Sequence, residues 1–359
     1  MKKMLYCMHV GWNWIKQRPH FIAEELSNDF DMTIISEYSY RTKKVDSSSS
    51  LNSNIKIKEF YKIPLFDHFR FTETINNIYR KIFYSYWIRK EKPDYMYVMT
   101  PAAVKYLPSD FDGVKLVYDC MDDMLEFSDN EKIKAYTYEL EKKLIDKADY
   151  VLASSEHLKD VLIKRYELVN PPIVVRNAYN GNIKELNKSV DNNKLNFEMC
   201  YFGTIAEWFN FDYIINVLNE IDNLEILLIG PLQSGTVIPQ HERIKYIGSV
   251  EHKYLEEKTK DVDAFIMPFV VNDLIESVDP VKIYEYINFG KNILCVRYNE
   301  VLRFNDFVYF YDDYESFKSQ ILTMMSNREL KYSSKDRIDF LKENTWEYRA
   351  NLIRESLDC

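Results

Sequence analysis

Short apolar segments alternate with amphipathic segments along the whole chain. The apolar segments have the length of strands, and the segments between them repeat apolar positions at the helical period. This alternation predicts a parallel sheet whose strands are joined by crossover helices. In the first half, the predicted strands are 4–10, 32–36, 95–100, 115–118, 150–154 and 173–176, and the predicted helices are 19–26, 73–89, 129–146 and 156–166.

Residues 179–196 interrupt this pattern and indicate a linker, because they are rich in Asn, Lys and Gly and lack apolar periodicity. The alternation then restarts, with predicted strands at 197–202, 224–229, 244–247, 264–268, 292–296 and 307–311, and helices at 211–221, 253–259, 279–290, 314–325 and 347–357.

A chain of 359 residues is long enough for two domains. We predict an α/β protein with two Rossmann-like, doubly wound parallel-sheet domains that face a central cleft. The predicted parts are an N-terminal Rossmann-like domain over 1–180, a C-terminal Rossmann-like domain over 197–345, and a C-terminal helix over 346–359 that could pack back on the N-terminal domain.

Charge and cysteine usage exclude some classes of protein. A net charge of -9 argues against a nucleic-acid partner, because no basic domain-wide field is available. The five cysteines form no CxxC motif, which indicates buried free thiols in a reducing compartment. No apolar run is long enough to predict a membrane span, and the first apolar segment is interpreted as a strand rather than a signal peptide. We therefore expect a cytoplasmic protein.

The segment from Asp279 to Gly290 predicts a helix with clear boundaries. Asp279 is a good N-cap, Pro280 suits the first helical position, and Gly290 suits the C′ position. A helix start after a strand and a loop presents free backbone N–H groups, which can hold a phosphate. Lys282 and Glu285 lie on one side of its first turns and could meet a diphosphate and a ribose. The alternative is a solvated ion pair of a few tenths of a kcal/mol.

Two glycine turns follow neighbouring strand-like segments of the same half. Gly203 permits close backbone approach, Thr204 offers a hydroxyl, and Trp208 lies in the same loop. Gly230 follows the next strand and could border a base or a sugar. With Pro280, Val281, Lys282 and Glu285, these residues form the predicted donor site. The alternative is that Gly203 only makes a tight turn.

The loop after the first predicted strand supplies the predicted acceptor or cleft residues. Gly11 is predicted to end that strand, Trp14 follows it, and Arg18 could contact a phosphate bidentately. His20 could have a polar role or could be merely packed.

Three carboxylates, those of Asp119, Asp122 and Asp123, lie just past the predicted strand 115–118. They could serve as acid/base groups or bind sugar hydroxyls, and Asp119 and Asp122 are the predicted catalytic residues. Capping of the following helix is the equally weighted alternative.

The sequence motifs give little support for a bound metal or cofactor. Asp-x-Asp, the usual metal clamp of metal-dependent sugar transferases, occurs at three places that all fit turns. HExxH, GxGxxG and GxxxxGK[ST] do not occur in the sequence. The last two absences weaken the dinucleotide and P-loop interpretations, and no cofactor is predicted.

The predicted helix 73–89 is basic and rich in aromatic residues. Arg80, Lys81 and Arg89 accompany several Tyr, Phe and Trp side chains. Such a helix can lie on an anionic membrane surface. An ordinary crossover helix with its apolar face in the core is the alternative.

Six motifs in order resemble the GT-B glycosyltransferases, specifically a family-4-like bacterial group that includes transferases of teichuronic-acid type and of other cell-surface polysaccharides. The motifs are Trp14-x-x-x-Arg18-Pro-His20, Tyr118-Asp-Cys-Met-Asp-Asp123, Ala148-Asp-Tyr-Val-Leu-Ala-Ser-Ser155, Gly203-Thr-Ile-Ala-Glu-Trp208, Asp279-Pro-Val-Lys-Ile-Tyr-Glu285 and Trp346-Glu-Tyr-Arg349.

The resemblance implies a nucleotide sugar (UDP-, GDP- or dTDP-linked) bound mostly by the C-terminal domain. It implies that Glu285, the second glutamate of an E-x7-E motif, holds the ribose and that Val281 and Lys282 face the diphosphate. It further implies metal-free, retaining transfer. The sequence departs from the family at Ser277, where the first glutamate would fall, and at Thr204, near which an Arg and Lys pair is usual.

The expected function is transfer of a sugar from a nucleotide sugar to a glycan or lipid-linked acceptor in cell-surface polysaccharide synthesis. The protein would be cytoplasmic and could be peripheral on the inner face of the membrane. Two alternatives remain: a nucleotide-sugar 2-epimerase of the same fold, and a catalytically inactive scaffold that binds nucleotide sugars.

Overall fold

A computed structural model describes residues 1–13, 16–39, 52–62, 70–108, 113–185 and 194–357. The chain forms two compact units: Met1–Asn177 together with Trp346–Cys359, and Ala178–Thr345. Cys7, Cys120, Cys200 and Cys295 are buried free thiols, as predicted, and Cys359 lies outside the described residues. Within these ranges, no helix combines the length and the apolar character that crossing a membrane requires.

The first unit is built on a seven-stranded parallel sheet of order β3-β2-β1-β4-β5-β6-β7. Its strand order reverses between β1 and β4, which makes that position the switch point where doubly wound sheets bind ligands. The strands are β1 Lys2–Cys7, β2 Phe30–Ser39, β3 Ile55–Lys62, β4 Tyr95–Val98, β5 Lys115–Cys120, β6 Tyr150–Ala153 and β7 Ile173–Val174, and the helices are α1 Arg18–Leu26, α2 Arg70–Glu91, α3 Glu131–Ile145 and α4 Glu156–Tyr166.

Three features of this unit differ from the sequence prediction. Strand β1 ends at Cys7, so Gly11 does not end it. Strand β3, an alternating apolar and polar segment, was not predicted. Strand β5 continues to Cys120, so Asp119 lies inside the strand and not past its end.

The second unit is built on a six-stranded parallel sheet of order β10-β9-β8-β11-β12-β13, with its switch point between β8 and β11. Its elements are β8 Phe197–Phe202, β9 Leu224–Ile229, β10 Ile244–Tyr246, β11 Ala264–Met267, β12 Asn292–Val296 and β13 Val308–Tyr311, with helices α5 Phe211–Glu220, α6 His252–Thr259, α7 Asp273–Ser277, α8 Val281–Phe289, α9 Tyr314–Ser326 and α10 Ser334–Glu343. Helices α7 and α10 were not predicted. The chain's last helix, α11 Trp346–Ser356, belongs to the first unit and contacts α1.

The start of the predicted linker is part of the second unit's packing. The Tyr179 hydroxyl donates to the Asn182 carbonyl at 2.8 Å, and the Asn288 side chain donates to the Tyr179 hydroxyl at 2.5 Å. Arg337 donates to the carbonyls of Lys184 and Asn288. The sequence missed this order because every partner lies more than a hundred residues away or in an irregular turn. Residues 186–193 lie outside the described residues.

An aromatic cluster seats α8 against the switch point of the second sheet. The rings of Phe265 on β11 and Tyr286 on α8 stack with centroids 4.2 Å apart, and Phe202 on β8 meets Tyr286 edge-on at 4.8 Å. The Phe202 backbone N–H donates to the Tyr286 hydroxyl at 3.3 Å. These fully buried contacts fix where α8 begins.

We expect Tyr286→Ala to destabilise the second unit by about 3–5 kcal/mol, because it leaves a cavity among packed rings. Tyr286→Phe keeps the ring and removes only the hydrogen bond, so it should cost about 1–2 kcal/mol. Urea unfolding measures both values. The exposed Tyr254→Ala on α6 serves as the control, with a change within about 0.5 kcal/mol. If Tyr286→Ala and the control lowered the free energy of unfolding equally, the ring would not be what holds α8 against the sheet.

Candidate functional site

Two glycines and a lysine meet at the switch point of the second unit. Gly203 has φ +143°, and a Cβ added there would overlap the Lys282 Cε and lie 2.8 Å from its Nζ. Gly230 has φ +137°, and its added Cβ would overlap the Gly203 carbonyl oxygen. Only glycine allows this approach, because any larger residue would displace the lysine or the neighbouring turn. We call Gly203, Gly230, Val281 and Lys282 the glycine–lysine site.

The start of α8 differs by one residue from the prediction. The helix begins at Val281 with Pro280 as N-cap, and Pro280 has no side-chain donor or acceptor to offer. Asp279, the predicted N-cap, is buried and forms an ion pair with Arg303. Gly290 adopts the left-handed conformation at the C-terminus, with φ 67°, as predicted.

The first turn of α8 keeps free donors as a result. The backbone N–H groups of Val281 and Lys282 donate to no group in the part of the chain that the structure describes. Unsatisfied N–H groups at a helix start carry partial positive charge and bind anions.

Lys282 adds a full positive charge to these donors. Its ammonium lies 5.9 Å from the centroid of the Tyr201 ring, and it has no hydrogen-bonded or ion-paired partner among the described residues. Burial lowers the pKa of Lys282, and the nearby Glu285 partly opposes this. The alternative of an ion pair between Lys282 and Glu285 is therefore wrong. A half-buried cation with no ion-paired partner among the described residues favours binding of an anion.

Glu285 pairs instead with a residue that the sequence did not indicate. Its carboxylate forms a hydrogen bond with the His252 ring at the start of α6, and this bond raises the pKa of His252 against the effect of burial. The two residues are 33 positions apart, so no local pattern could reveal the pair. The carboxylate is thereby oriented one turn away from Lys282.

Thr204 and Trp208 were also predicted to belong to the donor-binding site, and the structure shows a different environment for each of them. Thr204 is exposed, and its carbonyl accepts from the Tyr201 hydroxyl at 2.8 Å. Trp208 is half-buried against the core, and its carbonyl accepts from the Val270 N–H at 2.7 Å. Trp208 thus holds the loop after β8 to the loop after β11. Ser277 is buried and donates to the Leu274 carbonyl.

In the first unit, Arg18 and Asp119 form a buried ion pair. Arg18 donates to both Asp119 oxygens at 2.9 and 3.2 Å, and the Tyr97 hydroxyl donates to Asp119 Oδ2 at 2.8 Å. Asp119 is 0% exposed and Arg18 is buried. The predictions of a phosphate contact for Arg18 and of acid/base chemistry for Asp119 therefore give way to a structural role, because neither charge reaches solvent.

Asp123 is also paired with an arginine, whereas Asp122 is not. Arg165 donates to both Asp123 oxygens at 2.6 and 2.8 Å. The Asp122 carboxylate is half-buried and has no hydrogen-bonded partner among the residues described. Burial raises its pKa, Arg18 lowers it, and Asp119 and Asp123 raise it. A carboxyl group with these properties is suited to proton transfer or to binding sugar hydroxyls.

The loop after β1 is held by His20. The His20 Nδ1 accepts from the Gln17 N–H at 3.2 Å, and its Nε2 lies 3.3 and 3.1 Å from the carbonyls of Gly11 and Trp12. Burial lowers the pKa of His20, so the neutral ring with a proton on Nε2 fits this arrangement. His20 and Gly11 thus shape the loop, while Trp14 lies outside the described residues.

Within the described ranges, no three His, Cys, Asp or Glu side chains are grouped so that they could hold a metal ion. Asp31 pairs with Lys56, and Asp263 pairs with Lys194 and Arg328. Asp110 and Asp112 lie outside the described residues.

Comparison with known proteins gives a match in structure and not in sequence. No family model matches the chain, and no curated protein matches it. Sucrose-phosphate synthase from Thermosynechococcus elongatus is similar with TM-score 0.75 and 11% identity, covering 100% of this chain and 98% of that chain. Anabaena HepE in complex with UDP-glucose has TM-score 0.70 and 15% identity, covering 100% of both chains. The galactosyltransferase WaaB has TM-score 0.66 and 14% identity, covering 99% of both.

The chain has the GT-B fold. The predicted fold class, two Rossmann-like parallel-sheet domains, is confirmed. In this fold the glycine–lysine site lies at the carboxyl ends of β8 and β9 and after β11, which is where an open α/β sheet binds its ligand.

The roles of Asp119 and Asp122 can be separated by stability. Asp119→Asn should destabilise the GT-B chain by about 3–5 kcal/mol, because it strands the buried guanidinium of Arg18. Asp122→Asn should leave stability unchanged or slightly higher, because it removes a carboxylate that burial disfavours. Urea unfolding of both variants, with the exposed Asp160→Asn as control, measures the difference. If Asp122→Asn unfolds as easily as Asp119→Asn, Asp122 is structural as well.

Proposed function

We propose that this chain is a glycosyltransferase that moves a sugar from a nucleotide sugar to a glycan or lipid-linked acceptor in cell-surface polysaccharide synthesis. The observation that carries the proposal is the glycine–lysine site, where two N–H groups and one ammonium that have no partner among the described residues converge at a switch point. Among the similar structures, HepE was solved with UDP and glucose and with UDP-glucose.

The reaction explains why such a site would hold a diphosphate. Transfer breaks the bond between the anomeric carbon and the diphosphate oxygen, and it forms a bond to an acceptor hydroxyl oxygen. Negative charge develops on the departing nucleoside diphosphate, and the acceptor hydroxyl loses a proton. The Lys282 ammonium and the Val281 and Lys282 N–H groups can stabilise that charge without a metal. A bound diphosphate would also favour the charged form of Lys282.

Glu285 and Asp122 complete the proposal. The Glu285 carboxylate can accept hydrogen bonds from the ribose hydroxyls, and His252 holds it in position. Asp122 is the candidate that binds acceptor hydroxyls or takes the proton, because it is the one carboxylate of its cluster without an ion pair in the described chain. Retention of the anomeric configuration is proposed from the family resemblance.

We propose in addition that α2 rests on an anionic membrane. Ile78, Ile82 and Tyr86 recur every four residues and are all exposed, Ile82 to 64%. The exposed cations Lys81, Arg89 and Lys90 lie beside them. In a chain of net charge -9, such a face suits anionic lipid. Arg80 does not belong to this face, contrary to the sequence interpretation, because it is buried.

A screen of nucleoside diphosphates and nucleotide sugars by thermal shift tests the proposed function, since a ligand that binds the native state raises its melting temperature. The best donor is then incubated with and without candidate acceptors. Nucleotide release that depends on an acceptor supports transfer. An epimer formed without acceptor indicates an epimerase, and donor binding without any nucleotide release indicates a scaffold.

We expect Lys282→Ala to weaken binding of the nucleoside diphosphate by about tenfold to a hundredfold, because a charge-assisted contact is lost. Gly203→Ala should have a similar effect by displacing the lysine side chain. Isothermal titration in EDTA measures both effects and shows whether binding needs a divalent metal.

The matched control is Lys291→Ala, which removes a partly buried lysine at the other end of α8. Its dissociation constant should equal that of the wild type. A dissociation constant unchanged by Lys282→Ala would remove the lysine from the donor site.

Replacing Lys81, Arg89 and Lys90 together with Gln should weaken binding to phosphatidylglycerol vesicles by about a hundredfold, at about 1 kcal/mol for each cation. Ile82→Asp should also weaken it, and Ile133→Asp, an exposed isoleucine on α3, should not. Flotation measures the bound fraction, with phosphatidylcholine vesicles as the neutral comparison. Unchanged flotation of the triple variant would exclude α2 as the contact.

A further inference from the structure

The loop that follows β5 carries Asp122, and hydrogen bonds fix the backbone on the N-terminal side of this residue. The Ser154 hydroxyl, just after β6, donates to the Met121 carbonyl at 2.6 Å. The Cys120 thiol, at the end of β5, donates to the Asp122 carbonyl with a sulfur–oxygen distance of 3.6 Å. The segment that presents the Asp122 carboxylate is therefore held to the ends of two neighbouring strands. We call residues 121–128 the Asp122 loop.

Asp123 fixes the Asp122 loop on the other side. Its carboxylate accepts from the Leu125 N–H at 3.2 Å, and its carbonyl accepts from the Glu126 N–H at 3.0 Å. Asp123 therefore shapes the turn that comes directly after Asp122. The residue is only 4% exposed, and a buried carboxylate is costly unless a counter-charge compensates it.

Arg165 on α4 supplies that counter-charge. Its guanidinium donates to the two Asp123 oxygens at 2.6 and 2.8 Å, across 42 residues of sequence. Two parallel charge-assisted hydrogen bonds fix the orientation of both side chains as well as their separation. The ion pair thus connects the Asp122 loop to a helix of 11 residues that packs beside the sheet.

A second buried carboxylate, that of Glu141 on α3, holds Arg165 from behind. Glu141 is 1% exposed and lies 3.8 Å from the Arg165 guanidinium. It accepts hydrogen bonds from the hydroxyls of Tyr118 and Tyr166, both at 2.6 Å. Burial raises the pKa of Glu141, and the two tyrosine hydroxyls and Arg165 lower it. Arg165 is therefore held between two fixed carboxyl groups, which limits the positions that its side chain can adopt.

Three charged groups face the Asp122 carboxylate: Arg18 of α1, Asp119 of β5 and Asp123 of its own loop. Burial raises the pKa of Asp122, Arg18 lowers it, and the two aspartates raise it. Arg18 compensates the charge of Asp119, and Arg165 compensates that of Asp123. Without Arg165, the Asp123 charge would act uncompensated on Asp122, because a like charge nearby disfavours ionisation of a carboxyl group.

We propose that Arg165 is a positioning residue for the transfer reaction: it acts through Asp123 to hold the Asp122 carboxylate and to neutralise the charge beside it. The inference rests on the proposed transfer function and adds a residue that contacts neither donor nor acceptor. Asp122 must be ionised to take the proton of the acceptor hydroxyl, so the charge around it affects the reaction directly.

Two variants break the same ion pair and change the charge near Asp122 in opposite directions. Arg165→Gln leaves the Asp123 carboxylate uncompensated and should raise the pKa of Asp122 by about one pH unit, whereas Asp123→Asn removes that carboxylate and should lower it by about as much. Carbon-13 NMR titration of the full chain, labelled at the aspartate carboxyl groups and assigned with Asp122→Asn, measures this pKa. Lys164→Gln, which removes an exposed cation next to Arg165, should leave it unchanged.

The pH profile of acceptor-dependent nucleotide release connects the ion pair to the reaction. With Asp122 as the proton acceptor, the rate of release falls as the pH drops through the Asp122 pKa. The acid limb of the profile should therefore move to higher pH in Arg165→Gln and to lower pH in Asp123→Asn. A purely structural ion pair would make the two variants behave alike, because both lose the same contact.

Shifts of the Asp122 pKa in the same direction in both variants, or in neither, overturn the positioning role of Arg165, and so does an acid limb that does not follow this pKa. If Arg165→Gln does not fold, the double variant with Asp123→Asn replaces it, because it leaves no stranded charge. Its Asp122 pKa should lie above that of Asp123→Asn alone, and equal values overturn the proposal. Absence of acceptor-dependent release from the wild-type chain overturns the proposed function instead, and the NMR titration still tests the control of Asp122 by Arg165.

Discussion

The close contact between Gly203 and Lys282 is the constraint on which the candidate site of the second unit depends. Because Gly203 has no Cβ, the lysine stem can lie across the end of β8, and Gly230 makes room for the Gly203 carbonyl in the same way. The stack of Phe265 on Tyr286 places α8 where this contact is possible. One packing arrangement therefore positions a cation, two free N–H groups and, through His252, an oriented carboxylate.

In the first unit, unlike the second, most of the buried charges at the site are ion-paired. Asp119 and Asp123 each receive a bidentate arginine, so their charges are neutralised inside the protein. Removal of one partner from such a pair would leave an uncompensated buried charge. Asp122, between them in sequence, has a carboxylate with a raised pKa and with no ion-paired partner in the described part of the chain. The contrast between adjacent residues of one type identifies the candidate for function.

Each unit has basic groups at its switch point, but the surroundings differ. In the second unit they are backbone donors and a lysine beside glycines, an arrangement suited to the close approach of a diphosphate. In the first unit they are the side chains of Arg80 and Lys105, each packed against an aromatic ring.

The sequence by itself determined the sheets, most of the strands and the glycine turns, because alternation of apolar residues and positive-φ glycines are local requirements. It also predicted the end of α8 at Gly290 correctly and its start to within one residue. Tertiary structure decided which charges are free. Asp279 forms an ion pair with Arg303 instead of capping the helix. Arg18 forms hydrogen bonds with Asp119, which is 101 residues away in sequence. Such pairs depend on how distant segments meet in the folded chain, and no period or spacing in the sequence encodes that meeting.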